Sequence, residues 1–391
     1  MNGLWTDNGY ISLNKKNEEL CGDRVEMIKT EEATTLVLAD GLGSGVKANI
    51  LSTLTSKILC TMVAANLPIE DCVDAIAKTL PVCSVRQVAY STFTIIRVFG
   101  NNTAEIIQFD NPRVIMLRGG VEFDYPYTKR SIAGKEILES RVPLQVGDVL
   151  IAMSDGAIYA GVGKSMNFGW QRENIKDFAE AFYDDSLSAK MIATYIVDEC
   201  NRLYEGEPGD DTTVAAVKIR ERMPVNLMIG PPADPKDVNK MMALFFSKEG
   251  KRIVCGGTTS KLAAEYLGQP IRTSLDYTSD PSIPPIAFVK GLDLVTEGVI
   301  TLSKVVEYAR AYVDGSNLDA AAWATQKDGA SQIAQILFEQ ATDVNFFAGR
   351  AINPAHQNPD LPITFSIKIQ LVEELAACLK KMGKEVKLSF F

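Results

Sequence analysis

Thr35-Leu36-Val37-Leu38-Ala39-Asp40-Gly41-Leu42-Gly43-Ser44-Gly45 is the stretch on which the reading of this chain turns. An apolar run ends in an aspartate, and glycine then occupies every second position. A strand end is rigid, whereas glycine permits tight turns and lets a backbone carbonyl approach a ligand, so the junction suits a metal ligand. Beyond Gly45 the apolar residues Val46, Ile50, Leu51, Leu54, Ile58, Met62 and Val63 recur at helical spacing and predict a helix over 45–66 with one buried face.

Outward from that junction, a second helix is predicted over 69–80, followed by short strand-like runs over 92–98, 104–109, 114–117, 149–153 and 214–219. Turn formers such as Asn111-Pro112 and Gly119-Gly120 separate them. Strands only a few residues apart pair antiparallel, because a parallel crossover needs a dozen or more. The first part of the chain therefore reads as α+β, antiparallel sheets with helices packed outside, with more helix over 174–204 interrupted around 184–188. A charged stretch ending in Pro224 marks the expected boundary between domains 1–222 and 223–391. Past it the texture becomes strand-turn-helix: 226–229 leads to a helix over 235–246, and 252–255 leads through Gly256-Gly257 to a helix over 260–267. Further helices are expected near 302–312, 331–340 and 367–382, giving a smaller α/β domain.

With 391 residues, two domains are expected. A net charge of -9 with no basic stripe argues against a nucleic-acid surface. Seven cysteines without a CxxC suggest neither a disulfide framework nor a thiolate zinc site. No apolar run approaches the roughly 20 residues that span a bilayer, and no basic-then-apolar leader opens the chain, so a cytoplasmic location without membrane association is expected. The single histidine, His356, falls in a polar, proline-rich loop and reads as an exposed loop residue. Histidine-rich metal sites, phosphohistidine chemistry and a Ser-His-Asp triad near the N-terminus are thereby disfavoured, which leaves the chemistry to carboxylates.

Three more glycine-aspartate signatures join the first: Cys21-Gly22-Asp23, Ser154-Asp155-Gly156 after an apolar run, and Gly209-Asp210-Asp211-Thr212-Thr213-Val214. Hard divalent cations take carboxylate and carbonyl oxygens, so dispersed aspartates without histidine match Mg2+ or Mn2+ rather than zinc. In this order and combination the four motifs resemble the type 2C metal-dependent protein phosphatases, and within them the stage II sporulation protein E branch of bacterial serine phosphatases. The resemblance covers Gly9 to about Arg220.

That resemblance implies a four-layer α-β-β-α sandwich with metals at one end between the sheets. It implies that Asp40 bridges two divalent cations, Mn2+ or Mg2+, that the Gly41 carbonyl ligates one of them, that Asp23 supports the same cation largely through water, and that Asp155 and Asp210 hold the other. Asp40, Asp155 and Asp210 are then the catalytic set, with Asp211 orienting the ligands. The implied reaction is hydrolysis of phosphoserine or phosphothreonine, in which water bridging cations about 3.5–4 Å apart attacks phosphorus in line. The implied partners are phosphoproteins, commonly anti-sigma-factor antagonists or other signalling proteins. No arginine has the spacing of the eukaryotic phosphate-binding arginine, although Arg24 adjoins Asp23.

Other readings compete with this one. The 41–45 segment matches neither GxxxxGK[ST] nor GxGxxG, which argues against a nucleotide loop. A catalytically weak phosphatase-fold module that holds a signalling partner is the alternative; retention of four mutually repelling aspartates argues against it. In the second domain the Gly256 to Ser260 turn is either an anion site at a helix N-terminus or, the favoured reading, a helix capped by Thr258 or Thr259. A regulatory or dimerising role for 223–391, with a homodimer left open, is expected only from its attachment to an enzyme.

Overall fold

The computed structural model describes residues 4–79, 91–100, 102–132, 134–273, 286–314, 323, 326–351 and 367–391. Cys83, His356 and the proline-rich loops over 280–285 and 353–362 lie outside the described residues. The chain divides into two compact units, Met1–Glu221 and Arg222–Phe391. Among the described residues no helix is long and apolar enough to cross a membrane.

Unit 1 begins with strands β1 (Leu4–Leu13), β2 (Asp23–Lys29) and β3 (Ala33–Gly41), then helices α1 (Gly45–Ala64) and α2 (Ile69–Thr79). Strands β4 (Ser91–Phe99), β5 (Thr103–Phe109), β6 (Ile115–Arg118), β7 (Val121–Glu122), β8 (Thr128–Ile132), β9 (Lys135–Pro143) and β10 (Val149–Met153) follow. Helices α3 (Asp155–Ile158), α4 (Arg172–Phe182) and α5 (Ala189–Leu203) lead to the last strand, β11 (Thr212–Glu221).

The strands form two sheets, ordered β1-β11-β10-β6-β7 and β2-β3-β4-β5-β9-β8, antiparallel throughout. Successive strand side chains point to opposite faces, so each sheet can bury both. Leu36 and Leu38 of β3 join Leu150, Ala152, Ala215 and Val217 in a core between the sheets. Val37, of opposite parity, packs with Leu51, Leu59 and Val73 of α1 and α2. On the far side, Ile151, Val214 and Ala216 pack against Ile175, Ile192 and Ile196 of α4 and α5. The expected α-β-β-α sandwich is therefore observed.

Unit 2 contains β12 (Pro224–Ile229), α6 (Val238–Phe246), β13 (Lys251–Cys255), α7 (Gly257–Leu267), β14 (Arg272–Thr273), β15 (Ala287–Phe288) and β16 (Leu294–Thr296). Then come α8 (Val299–Asp314), α9 (Gly329–Ala334), β17 (Asp343–Ala348), α10 (Ile367–Lys381) and β18 (Glu385–Phe390). One sheet, ordered β14-β15-β16-β13-β12-β17-β18, is parallel from β16 to β18 and closes with a short antiparallel edge. Met241, Met242, Phe245 and Ala263 of α6 and α7 cover one face, and α8, α9 and α10 cover the other. This is the expected α/β architecture.

Local details differ from the sequence reading. Pro235–Asp237 is a 3-10 turn ahead of α6, because Asp234 caps it by accepting from the Lys236 amide. The helix predicted over 331–340 starts at Gly329 and ends in a π-helical turn over Gln335–Gln340. Neither Thr258 nor Thr259 caps α7: the cap position is Gly256, both threonines lie within the first turn, and the Ser260 hydroxyl donates to the Gly256 carbonyl at 2.8 Å. In the charged stretch ending in Pro224, β11 continues to Glu221 and β12 begins at Pro224, and the two units divide between Glu221 and Arg222.

Candidate metal centre

The sandwich brings the four aspartate motifs to one end of unit 1. Asp23 opens β2 and Asp40 is the penultimate residue of β3, and the two stand directly opposite in the antiparallel register. Directly opposed strand residues have β-carbons about 4.5–5.5 Å apart, where like charges destabilise the pair. Asp155 is the first residue of α3, just past β10, and Asp210 and Asp211 directly precede β11.

Electrostatics show that these groups share one site. Burial, reinforced by the charges of Asp23, Asp155 and Asp210, pushes the Asp40 carboxyl up to about 9. The Asp23 carboxyl is pushed up to about 7, chiefly by burial, against the hydrogen bonds of Ser154 and Thr213 and with the Asp211 and Asp155 charges adding to it. Burial and then Asp210 also raise Asp155. Each shift reflects a carboxylate removed from water among like charges.

Ser154 ties the two sheets together beneath the cluster. Its hydroxyl donates to Asp23 Oδ2 at 2.7 Å and accepts from the Thr213 amide at 2.9 Å. Both residues of the Ser154–Asp23 pair are buried, and the Asp23 Oδ1 atom has no other partner. Ser154→Ala is expected to destabilise unit 1 by about 1–3 kcal/mol, the range for stranding a buried acceptor. Urea unfolding measures this, and an unchanged midpoint would show that the hydroxyl is dispensable.

Gly41 sits under α1: a β-carbon there would overlap the Ala48 carbonyl oxygen. Its amide donates to the Gly22 carbonyl at 3.1 Å, which joins the Asp40 turn to the Asp23 turn. Asn49 of α1 closes the same corner, its Nδ2 donating to the Cys21 carbonyl at 2.8 Å.

Several residues at this end were not foreseen. The Lys15 amide donates to Asp211 Oδ1 at 3.0 Å, and the Lys15 ammonium stands 3.5 Å from Asp210 Oδ1. Glu18 Oε1 accepts from the Ser44 hydroxyl at 3.0 Å. Both belong to the loop between β1 and β2, which carries no periodic pattern; the only local signal was the chemistry of the residues themselves. Arg24 does not join them. It has opposite parity to Asp23 on β2, is exposed, and lies 3.9 Å from Glu26, whose carboxylate also meets Lys57 of α1.

Among the described residues no group of three or more His, Cys, Asp and Glu side chains already stands in an ion-holding geometry. The donor set nevertheless fits a hard cation. It consists of carboxylate oxygens, of which Asp23 Oδ1 is buried with no hydrogen-bond partner, as is Oδ2 of Asp211 beside the set. Buried acceptors are seldom left unsatisfied, so a cation or its waters is the fitting complement.

Residues 30–220 match the family described as Stage II sporulation protein E (SpoIIE). Asp40, Asp155 and Asp210 lie inside that span, and Asp23 precedes it. No curated protein matches the chain. Among solved structures, the chain is similar to the PP2C phosphatase domain with a fragment of the regulatory domain of SpoIIE from Bacillus subtilis, at 19% identity and TM-score 0.48, covering 56% of this chain and 63% of that one. It is also similar to the RsbU and RsbW domains of Rv1364c from Mycobacterium tuberculosis (18% identity, TM-score 0.46, 61% and 66% covered) and to RsbX in complex with magnesium (18%, 0.39, 55% and 95%). The chain thus spans less than two thirds of the length of the first of these. The family match lies within unit 1, whose residues 30–220 are similar to the stage II sporulation protein E family.

Proposed function

We propose that unit 1 hydrolyses phosphoserine and phosphothreonine monoesters with two divalent cations, Mn2+ or Mg2+. Asp23, Asp40, the Gly41 carbonyl, Asp155 and Asp210 would hold them. The observation that carries this reading is the convergence, at one end of the sandwich, of carboxylates from four separate segments with two buried oxygens unpartnered. Such cations, when bound, supply an acidified water and neutralise charge on the phosphoryl group.

The chain's own residues then position and orient. Asp40, on which the charges of Asp23, Asp155 and Asp210 all act, would be the bridge, while the Ser154 hydroxyl holds Asp23 Oδ2. Asp211 holds the Lys15 loop through its amide, and Asn49 and Gly41 hold α1 on the cluster. The substrate implied by family resemblance is a small phosphorylated signalling protein such as an anti-sigma-factor antagonist.

The test is hydrolysis of para-nitrophenyl phosphate and of a phosphoserine peptide, with Mn2+ and with EDTA. Turnover of both that depends on the cation supports the proposal. The alternative is a phosphatase-fold module that binds its partner without turnover, and a folded, cation-binding but inert chain would establish it. Because Arg24 faces away from the carboxylates, Arg24→Ala is expected to leave KM for phosphate esters within about twofold, as for a surface substitution. A large rise in KM would assign phosphate contact to Arg24.

A further inference from the structure

The strand order of unit 2 reverses at one place. From β12 the chain builds to β13 and β16 on one side, then returns to lay β17 and β18 on the other. Helices change face at the same point, α6 and α7 covering one face and α8, α9 and α10 the other. β12, β13, β16 and β17 run in one direction, so their carboxyl ends share one edge of the sheet, where the Ala351 amide beyond β17 donates to the Pro231 carbonyl beyond β12 at 3.2 Å. Open parallel sheets take their ligands at such a point.

The side chains there suit an anion. β12 runs into Gly230, whose φ of +77° is a left-handed conformation favoured by glycine. The Lys368 ammonium occupies the space that a β-carbon on Gly230 would need. Lys368 is the second residue of α10 and is half-buried, and its ammonium donates to the Ala351 carbonyl at 3.2 Å. Burial alone lowers its pKa, with no acidic charge among the described residues drawing it back up. Next to this point, Gly298 ahead of α8 packs on Gly256 at the head of α7, and a side chain placed at Gly257 would meet nothing within 4 Å. The first turn of α7 thus opens to free space, while the buried Thr301 hydroxyl in the first turn of α8 has no hydrogen-bond partner.

We propose that unit 2 binds a phosphate-bearing small molecule at the carboxyl end of β12, with the anionic group held on the Lys368 ammonium above Gly230. Phosphate is favoured over carboxylate because the site offers a point charge and backbone amides rather than a planar guanidinium fork. Glu297, which follows β16, is engaged at the head of α8, where it accepts from the Ile300 amide at 3.2 Å.

The test uses the full chain with EDTA present. Adenosine 5'-monophosphate, glycerol 3-phosphate and inorganic phosphate are titrated by calorimetry and followed by thermal shift. At least one is expected to bind, with affinity reduced about tenfold or more in Lys368→Met and largely kept in Lys368→Arg, as for loss and retention of a charge-assisted contact. Gly257→Asp, which adds a carboxylate in open space, is expected to weaken binding independently of any folding effect at Lys368. Asp40→Asn is expected to leave binding unchanged, which separates this site from the one in unit 1, and Lys368→Met is expected to leave phosphatase activity unchanged. Failure of all three probes to bind the wild type, full binding in both Lys368→Met and Gly257→Asp, or loss of binding in Asp40→Asn would each overturn the proposal.

Discussion

Asp40→Asn is expected to lower kcat for a phosphomonoester by roughly 10²–10³-fold, the scale for removing a preorganised electrostatic group from an active site. The substitution keeps the shape and the β3 ladder but removes the charge that the other three carboxylates surround. Asparagine cannot bridge two cations as a carboxylate does, so KM should change less than kcat. Steady-state turnover of para-nitrophenyl phosphate at saturating Mn2+ is the measurement. A variant retaining more than about a third of wild-type kcat would remove Asp40 from the catalytic set.

The second large effect is on stability. A ligand that binds the folded state at about 100 times its dissociation constant stabilises it by about 2.7 kcal/mol, which for a unit of this size is roughly 5–10 °C in melting temperature. Mn2+ is therefore expected to raise the wild-type transition by that amount over EDTA. In Asp40→Asn most of the rise should vanish. In EDTA, however, the variant should melt no lower than wild type, because the replaced group is a buried carboxyl held among like charges. A cation-free variant melting well below wild type would mean that Asp40 serves the fold rather than a ligand.

The strands legible in the sequence are those buried on both faces. β10 and β11 are almost wholly buried and β3 nearly so, so each reads as a continuous apolar run. The strands that were not foreseen include the edges, β1, β2, β7 and β8. Edge strands are half exposed and carry polar residues, which dilutes the alternation. β1 even turns Asp7 and Gly9 inward at its buried positions.

The same contrast holds at the site. Aspartates at strand ends announce themselves because strand, aspartate and glycine follow one another locally. The contributions of Lys15, Glu18 and Asn49 arise only when the loop after β1 and the helix α1 fold against the strand ends, and Ser154 was read as part of a motif rather than as the link between sheets. In unit 2 the first two strand-turn-helix steps were visible, but β16, β17, β18 and the reversal of strand order were not. It depends on pairing β12 with β17, whose contact between Asn345 and Asn226 joins residues 119 apart.

Mn2+ binding followed by electron paramagnetic resonance tests most directly whether the aspartate cluster holds cations. Titration of the full chain is predicted to show two bound Mn2+ displaced by Mg2+, with at least one site lost in Asp40→Asn and in Asp155→Asn. Binding of no Mn2+ by the folded wild type, or the same stoichiometry and affinity in both variants, would contradict it.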